Sequence, residues 1–235
     1  MTLTSATRQV RDTRAFRRHA LAVLLPIGPL CVAALRVMLP YSTTDGPSAQ
    51  LAAVAAGQEA QAAVLWLGPL ALIALVPGLF ALTRMAMRRA PVLAIVATTL
   101  AVPGYLGIAA LGVSDAAALA AVTAGLSPPD GTALLAELAE QPALATSVGL
   151  FVLGHVVGTV LLGAALWRSG AVPAWAGVAL IASQPLHLAV VVSAGPKLLD
   201  GAAWGLTALG FAAAALTLAR MRDDDYEPQG FSAPR

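Results

Sequence analysis

The stretch Arg8–Pro40 reads RQVRDTRAFRRHALAVLLPIGPLCVAALRVMLP and decides the class of fold. It joins five arginines to an apolar run that begins near residue 20 and ends at Pro40. At about 1.5 Å per helical residue, a run of about 20 residues crosses the roughly 30 Å of a bilayer core. Arginines before such a run are typical of its cytoplasmic end. The stretch therefore predicts a membrane helix that starts in the cytoplasm.

The composition extends this interpretation to the whole chain of 235 residues. Hydrophobic residues make up 58% and charged residues 11%, with a mean hydropathy of +0.79. A soluble domain carries about 25% charged residues because its surface contacts water. We expect an all-α polytopic membrane protein with six transmembrane helices. The apolar runs cover about 20–40, 62–83, 91–113, 144–166, 173–194 and 202–221.

The arrangement of the basic residues predicts the topology. Twelve of the 14 Lys and Arg residues fall on one side of the six predicted spans. These are Arg8, Arg11, Arg14, Arg17, Arg18, Arg84, Arg88, Arg89, Arg168, Arg220, Arg222 and Arg235. Only Arg36 and Lys197 fall toward the other side. Because basic residues accumulate in cytoplasmic segments, this bias predicts that both termini are cytoplasmic and that the protein lies in the cytoplasmic membrane.

Three regions follow from this threading. Residues 1–19 form a basic cytoplasmic arm that we expect to bind anionic lipid head groups. Residues 20–221 form the six-helix transmembrane domain, and residues 222–235 form a polar cytoplasmic tail that we expect to be disordered. The net charge of +2 and the pI near 9.1 do not indicate nucleic-acid binding, because no segment is long enough to build an exposed basic face.

The outer connections carry most of the acidic residues. Residues 41–61 and 114–141 are each long enough for a short extracytoplasmic helix, and Asp130 or Thr132 could cap the helix in the second loop. Asp115 and Asp200 are assigned to outer loops as well. On this assignment no Asp or Glu lies within any span, which argues against ion coupling through intramembrane carboxylates.

Two histidines fall inside predicted spans, where ionisable side chains are rare and indicate functional positions. His155 lies in the fourth span and His187 in the fifth, and the short connection between these spans lets the two rings meet. Thr159 lies one turn after His155, while Ser183 and Gln184 lie one turn before His187 on the same helical face. These five residues are the predicted ligand-binding cluster.

Three roles are open for this cluster. It could lock the fourth and fifth spans by interhelical hydrogen bonds, line a cavity for a small ligand, or ligate a haem or a metal ion. Gly154 and Gly158 form a small-xxx-small pair that lets a neighbouring helix approach closely. No cofactor and no metal site is predicted, and haem is the alternative.

No catalytic residues are predicted, because the sequence holds no phosphate loop, no H-E-x-x-H and no G-x-S-x-G. We therefore expect a non-enzymatic protein that binds or transports a small ligand, or an accessory subunit of a membrane complex. The alternative is a membrane redox protein with haem or metal held by His155 and His187. A membrane-complex partner or a second copy of the chain is the expected protein partner.

The turn Leu166–Gly177, with the sequence LWRSGAVPAWAG, resembles a turn of a family of six-helix bacterial integral membrane proteins that has no established activity. The resemblance extends loosely over residues 20–220. It implies a six-helix bundle and no residue function. The abundance of alanine and of arginine over lysine is typical of a bacterium with a GC-rich genome.

Overall fold

The computed structural model describes residues 12–227, and this part of the chain is helical without any strand. The helices in this range are α1 (Arg14–Met38), α2 (Pro47–Ala56), α3 (Gln58–Ala86), α4 (Pro91–Leu106), α5 (Ile108–Thr123), α6 (Pro128–Ala139), α7 (Pro142–Ser169), α8 (Ala174–Val192), α9 (Lys197–Arg220) and α10 (Asp223–Tyr226).

Six helical segments within residues 12–227 are long and apolar enough to cross a membrane. They are α1, α3, the pair α4–α5, α7, α8 and α9. Large apolar side chains on their outer faces are exposed, with Trp66 at 75% and Leu153 at 69%, which is the surface expected of a protein in contact with lipid. The predicted all-α polytopic architecture is confirmed. The sidedness of the termini remains a prediction.

Consecutive long helices run in opposite directions, so the bundle has two distinct ends. We call the end that holds the start of α1 and the end of α9 the terminal end. The opposite end, where α2 and α6 lie, is the capped end. Around the bundle, α1 packs on α3 and α9, α8 packs on α9 and α7, and α7 packs on α4.

Three helices extend beyond the predicted spans, and this difference matters for function. Helix α1 begins at Arg14, inside the predicted arm. The third span continues past a break at Gly107 to Thr123, and α9 begins at Lys197. As a result, Asp115 and Asp200 lie within long apolar helices and are 7% and 3% exposed. The expectation that no acidic residue lies within a span does not fit these two candidate spans, in which each carboxylate has a polar partner.

Helices α4 and α7 touch backbone to backbone at three glycines. A Cβ placed on Gly104 would lie 2.4 Å from the backbone nitrogen of His155, and one on Gly158 would lie 2.6 Å from that of Ala101. Gly154 faces the backbone of α4 just as closely. The small-xxx-small pair therefore forms the contact that its spacing predicts. This contact fixes the position of His155 in the middle of the bundle.

Helices α2 and α6 form a separate apolar layer with α5 at the capped end. Leu51, Val54 and Leu135 are buried there against Ala118 and Ala121. Both loops thus contain the short helix that the sequence predicts. The N-cap of α6 is Ser127, whose hydroxyl accepts from the backbone nitrogen of Asp130, and neither Asp130 nor Thr132 is the cap.

The start of α1 and the segment after α9 bind each other at the terminal end. Arg18, whose side chain is 9% exposed, donates to the carbonyls of Leu218 and Ala219 and to Asp223. Tyr226 is buried in the main core. Residues 222–227, which belong to the tail expected to be disordered, make defined contacts here, because the arginines of α1 and α3 supply partners for the acidic segment. Residues 1–11 and 228–235, which include Arg8, Arg11 and Arg235, lie outside the described residues.

Hydrogen bonds from Arg14 also shape the electrostatics of this end. The side chain and the backbone nitrogen of Arg14 both bond to the Asp12 carboxylate and lower the pKa of Asp12 to about 2. Arg14 bonds to Asp224 as well, at 2.5 Å. The arginines assigned to lipid head groups are thus partly occupied by acidic residues of the same chain.

Candidate functional site

A cavity of about 90 Å³ lies among the long helices in the capped half of the bundle. Most of its walls are apolar and come from residues 32–39 at the end of α1 and just after it, 64–69 of α3 and 108–115 of α5. Polar and aromatic side chains complete the walls, namely Arg36, Tyr41, Thr43, Asp115, Phe151, His187 and Trp204. On this measure about 10–15 Å³ is enough to hold one water molecule, so the cavity has room for about six non-hydrogen atoms. We call this space the capped-end cavity.

Two residues of the cavity wall, Arg36 and His187, belong to a buried network with Asp200, which does not itself line the cavity. Arg36 Nε donates to Asp200 Oδ2 at 2.5 Å, and the two side chains are 14% and 4% exposed. The other carboxylate oxygen of Asp200 accepts from His187 Nδ1. Asp200 thus joins α1, α8 and α9 through one carboxylate. This arrangement neutralises Arg36 and fixes the orientation of the His187 ring.

Asp115 also lines the cavity and has a different environment. Its Oδ1 accepts from the hydroxyl of Tyr41, and its backbone carbonyl accepts from Gln61 Nε2 at 3.5 Å. Burial and the neighbouring Asp115 carboxylate raise the pKa of Tyr41 above its ordinary value, so the phenol keeps its proton and donates it to this bond. Among the described residues no cationic side chain lies within ion-pair distance of Asp115.

The predicted pair of histidines does come together. The ring centroids of His155 and His187 are 5.6 Å apart. His155 stacks on Phe151 at 4.1 Å and lies parallel to Trp204 at 5.9 Å. His187 meets Trp204 edge to face, with centroids 5.5 Å apart. Of the two histidines only His187 reaches the wall of the capped-end cavity.

Hydrogen bonds determine the form of each imidazole. His155 Nδ1 contacts the carbonyl of Phe151, so this nitrogen carries the proton, and Nε2 is buried without a partner in the described structure. His187 Nδ1 contacts Asp200 and carries a proton for the same reason. In the neutral form of both rings, each Nε2 is an acceptor.

The remaining members of the predicted cluster serve other contacts. Thr159 bonds to the hydroxyl of Tyr105 at 2.8 Å, which ties α7 to α4. Gln184 Nε2 donates to Thr207 Oγ1 at 2.8 Å, and Thr207 bonds to Ser183 at 2.9 Å, which ties α8 to α9. None of these three cluster members lines the capped-end cavity. Their contacts match the interhelical role that the sequence left open.

Sequence reasoning missed the groups that make the site polar, because it placed Asp115 and Asp200 in outer loops and counted Arg36 only as one of the two basic residues toward the outer side. One signal could have located Asp200. Pro196 can precede the first turn of a helix but cannot continue one, so a helix that starts just after it places Asp200 one turn inside. Tyr41 and Trp204 have no comparable signal, since their contacts arise only from packing of distant helices.

The histidine pair offers less to a haem than to a single metal ion. Sites for drug-sized ligands enclose about 300 Å³ or more, so a porphyrin does not fit the capped-end cavity. Within residues 12–227 no group of three or more His, Cys, Asp or Glu side chains could hold a metal. Each histidine nevertheless has its Nδ1 held by a partner, the carbonyl of Phe151 for His155 and Asp200 for His187, while its Nε2 can accept. Histidines that bind a metal are commonly held in this way.

Comparisons of this chain with protein-family models, with curated proteins and with solved structures found no match. The similarity at Leu166–Gly177 thus remains a resemblance of a short turn. The structure accounts for part of that turn: Gly170 ends α7 with φ at +69°, a left-handed conformation that glycine adopts without strain. The capped-end cavity and the histidine pair are therefore the features of the molecule that indicate a function.

Proposed function

We propose that this protein binds a small ligand in the capped-end cavity, within the cytoplasmic membrane. The observation that supports this proposal is a cavity that combines apolar walls with the charged side chains Arg36 and Asp115. Small-molecule sites have this composition, with few polar groups placed in a mostly apolar enclosure. Charges buried in apolar helices are also costly, which argues that they are kept for function.

The positive-inside bias places the terminal end in the cytoplasm and the cavity toward the outer surface. All residues that line the cavity come from the capped half of the bundle. The terminal half is filled by fully buried apolar side chains, including Leu79, Leu82, Leu166 and Leu218. This asymmetry supports a binding protein over a carrier, because a carrier needs access to its site from both sides. The predicted membrane-complex partner or homo-oligomer remains a prediction.

Two glycines in the cavity wall allow a direct test. A Cβ on Gly68 or on Gly112 would meet no heavy atom within 4 Å, so a side chain can begin at either position without moving the backbone, and that of leucine is long enough to reach into the cavity. Both residues line the cavity. Gly149 of α7 is also free of neighbours within 4 Å and is not part of the cavity wall, so Gly149→Leu is the matched control.

The experiment is thermal unfolding of purified protein in detergent with short-chain alcohols, carboxylates and amines. A compound that binds only the folded state raises the Tm in proportion to RT ln(1 + [L]/Kd). We expect at least one compound to raise the Tm of the wild type and of Gly149→Leu. Gly68→Leu and Gly112→Leu should abolish that shift. The proposal is wrong if no compound shifts the wild type, or if the shift survives in both cavity variants.

A second candidate function is binding of a metal ion by His155 and His187. The observation in its favour is that both Nδ1 atoms are anchored while both Nε2 atoms can accept. Metal analysis of the purified protein tests this candidate, with Zn²⁺ and Cu²⁺ added and the excess removed. Stoichiometric metal that is lost in His155→Ala and in His187→Ala would support it, and a metal-free wild type would exclude it. An absorption spectrum of the same sample tests the haem alternative.

A further inference from the structure

The charged side chains around the capped-end cavity differ in whether an opposite charge lies within ion-pair distance. Asp200 compensates Arg36 at 2.5 Å and also contacts His187. Asp115, which is 7% exposed, accepts from the neutral hydroxyl of Tyr41 through its carboxylate and from the amide of Gln61 through its backbone carbonyl, and the charge of Arg36 acts on it only from beyond ion-pair distance. The wall therefore holds one carboxylate without a cationic partner among the described residues.

Such a carboxylate in an apolar wall selects for a positive ligand. Burying a charge in a medium of low polarity is costly unless an opposite charge lies close to it. An ammonium group placed against Asp115 would supply this charge and donate charge-assisted hydrogen bonds, which are about twice as strong as neutral ones. An anion would meet the opposite situation, because Arg36 is already bound by Asp200.

Aromatic rings strengthen this selection. Tyr41, Phe151 and Trp204 all line the same small cavity. The faces of aromatic rings attract cations, and amine-binding sites are commonly built from such rings. The remaining walls are aliphatic, with Val64 and Ile108 among them, and would accommodate a short hydrocarbon substituent.

We propose that the ligand of the capped-end cavity is a small aliphatic ammonium ion, bound with its nitrogen against the Asp115 carboxylate and its hydrocarbon part against the apolar wall. This proposal rests on the proposed function, since it assigns the class of ligand to the same cavity. It makes Asp115 the binding residue that determines specificity. Arg36, Asp200 and His187 then have the structural role of joining α1, α8 and α9.

Three compounds of nearly equal shape test the proposal at neutral pH: n-butylammonium chloride, 1-butanol and sodium butyrate. They differ in charge at one end. Binding is measured for the purified protein as the shift in Tm and as an apparent Kd from its dependence on concentration. We expect a shift for n-butylammonium that is absent in Gly68→Leu, and weaker or no shifts for the other two compounds.

Asp115→Asn removes the charge and keeps the size of the side chain and its bond to Tyr41. We expect it to weaken n-butylammonium binding at least about tenfold, the effect of losing a hydrogen bond to a charged group. Tyr41→Phe removes the neutral partner of Asp115 without changing charge and should retain n-butylammonium binding. Glu137→Gln is the matched control, since Glu137 is an exposed carboxylate in the loop helix α6.

The outcomes separate the two proposals. If 1-butanol or butyrate shifts the wild type as strongly as n-butylammonium and the shift depends on Gly68, the cavity binds ligands but the ammonium assignment is wrong. The assignment is also wrong if Asp115→Asn binds n-butylammonium as tightly as Glu137→Gln does. If none of the three compounds and no member of the wider panel shifts the wild type, the proposed function itself fails. If Asp115→Asn does not fold, a preference of the wild type for n-butylammonium over 1-butanol still decides the question.

Discussion

Removing the charge of Asp200 should destabilise the protein far more than removing a charge at the surface. The Asp200 side chain is 4% exposed and contacts Arg36 Nε at 2.5 Å as well as His187. Asp200→Asn leaves the Arg36 guanidinium buried in an apolar bundle without a carboxylate at ion-pair distance. Breaking a buried ion pair by removing one partner costs about 3–5 kcal/mol, because the other charge is left uncompensated.

The ion pair between Arg88 and Asp225 provides the comparison. Its atoms are 3.3 Å apart and its side chains are 53% and 50% exposed, so solvent screens the interaction. Exposed pairs of this kind contribute about 0–1 kcal/mol. We therefore expect Asp225→Asn to lower the free energy of unfolding by less than about 1 kcal/mol.

The assay is reversible unfolding of the purified protein in mixed detergent and SDS micelles, followed by tryptophan fluorescence or circular dichroism. Arg36→Met and the double variant Arg36→Met/Asp200→Asn complete a double-mutant cycle. The loss of unfolding free energy in the double variant should be about 2–3 kcal/mol smaller than the sum of the losses in the two single variants, because the double variant removes both members of the ion pair. A loss for Asp200→Asn no larger than that for Asp225→Asn would refute the argument, as would additive single effects.

Two further predictions concern packing and capping. Gly104→Ala should lower the free energy of unfolding by about 2–3 kcal/mol, because its Cβ would lie 2.4 Å from the backbone of α7 and must push the helices apart. Gly149→Ala is the control in the same unfolding assay. Its Cβ would have no heavy atom within 4 Å, so this variant should be neutral or stabilising. Arg18→Lys should cost about 1–3 kcal/mol, because lysine cannot bond to Asp223 and to the last carbonyls of α9 at the same time. Arg17→Lys, at a side chain that is 53% exposed, should leave the Tm unchanged, and equal shifts for both lysine variants would contradict the capping role.

The class of fold could be predicted because it depends on composition and on the length of apolar runs. A run such as 144–166 predicts a membrane helix from its own residues, whatever its neighbours are. The close contact at Gly154 and Gly158 is likewise a local pattern, and the structure confirms it. The helix ends are less predictable, because a charged residue such as Asp115 or Asp200 can lie inside a helix as well as at its end.

The site could be predicted only in part, because its polar groups come from distant positions in the chain. His155 and His187 lie in consecutive spans, so a short connection was enough to predict their meeting. Arg36 and Asp200 are separated by 164 residues, and their pairing depends on α1 packing against α9. A charged residue near the end of an apolar run has the same sequence signature whether it lies in a loop or in a buried pair. Only the partner distinguishes the two cases.

The two buried carboxylates affect the stability of the protein in opposite directions, and this contrast connects the fold with the proposed function. Asp200 is satisfied by Arg36 and His187 in the protein alone, so it belongs to the structure and its loss is destabilising. Asp115 has no cation at ion-pair distance among the described residues, so burying its ionised form costs free energy until a ligand is bound. Residues kept for binding are often placed at the expense of stability. Asp115→Asn should accordingly raise the Tm of the ligand-free protein, whereas Asp200→Asn lowers it. Equal losses in the two variants would mean that Asp115 is a second structural group and that the cavity has no need of an ammonium ion.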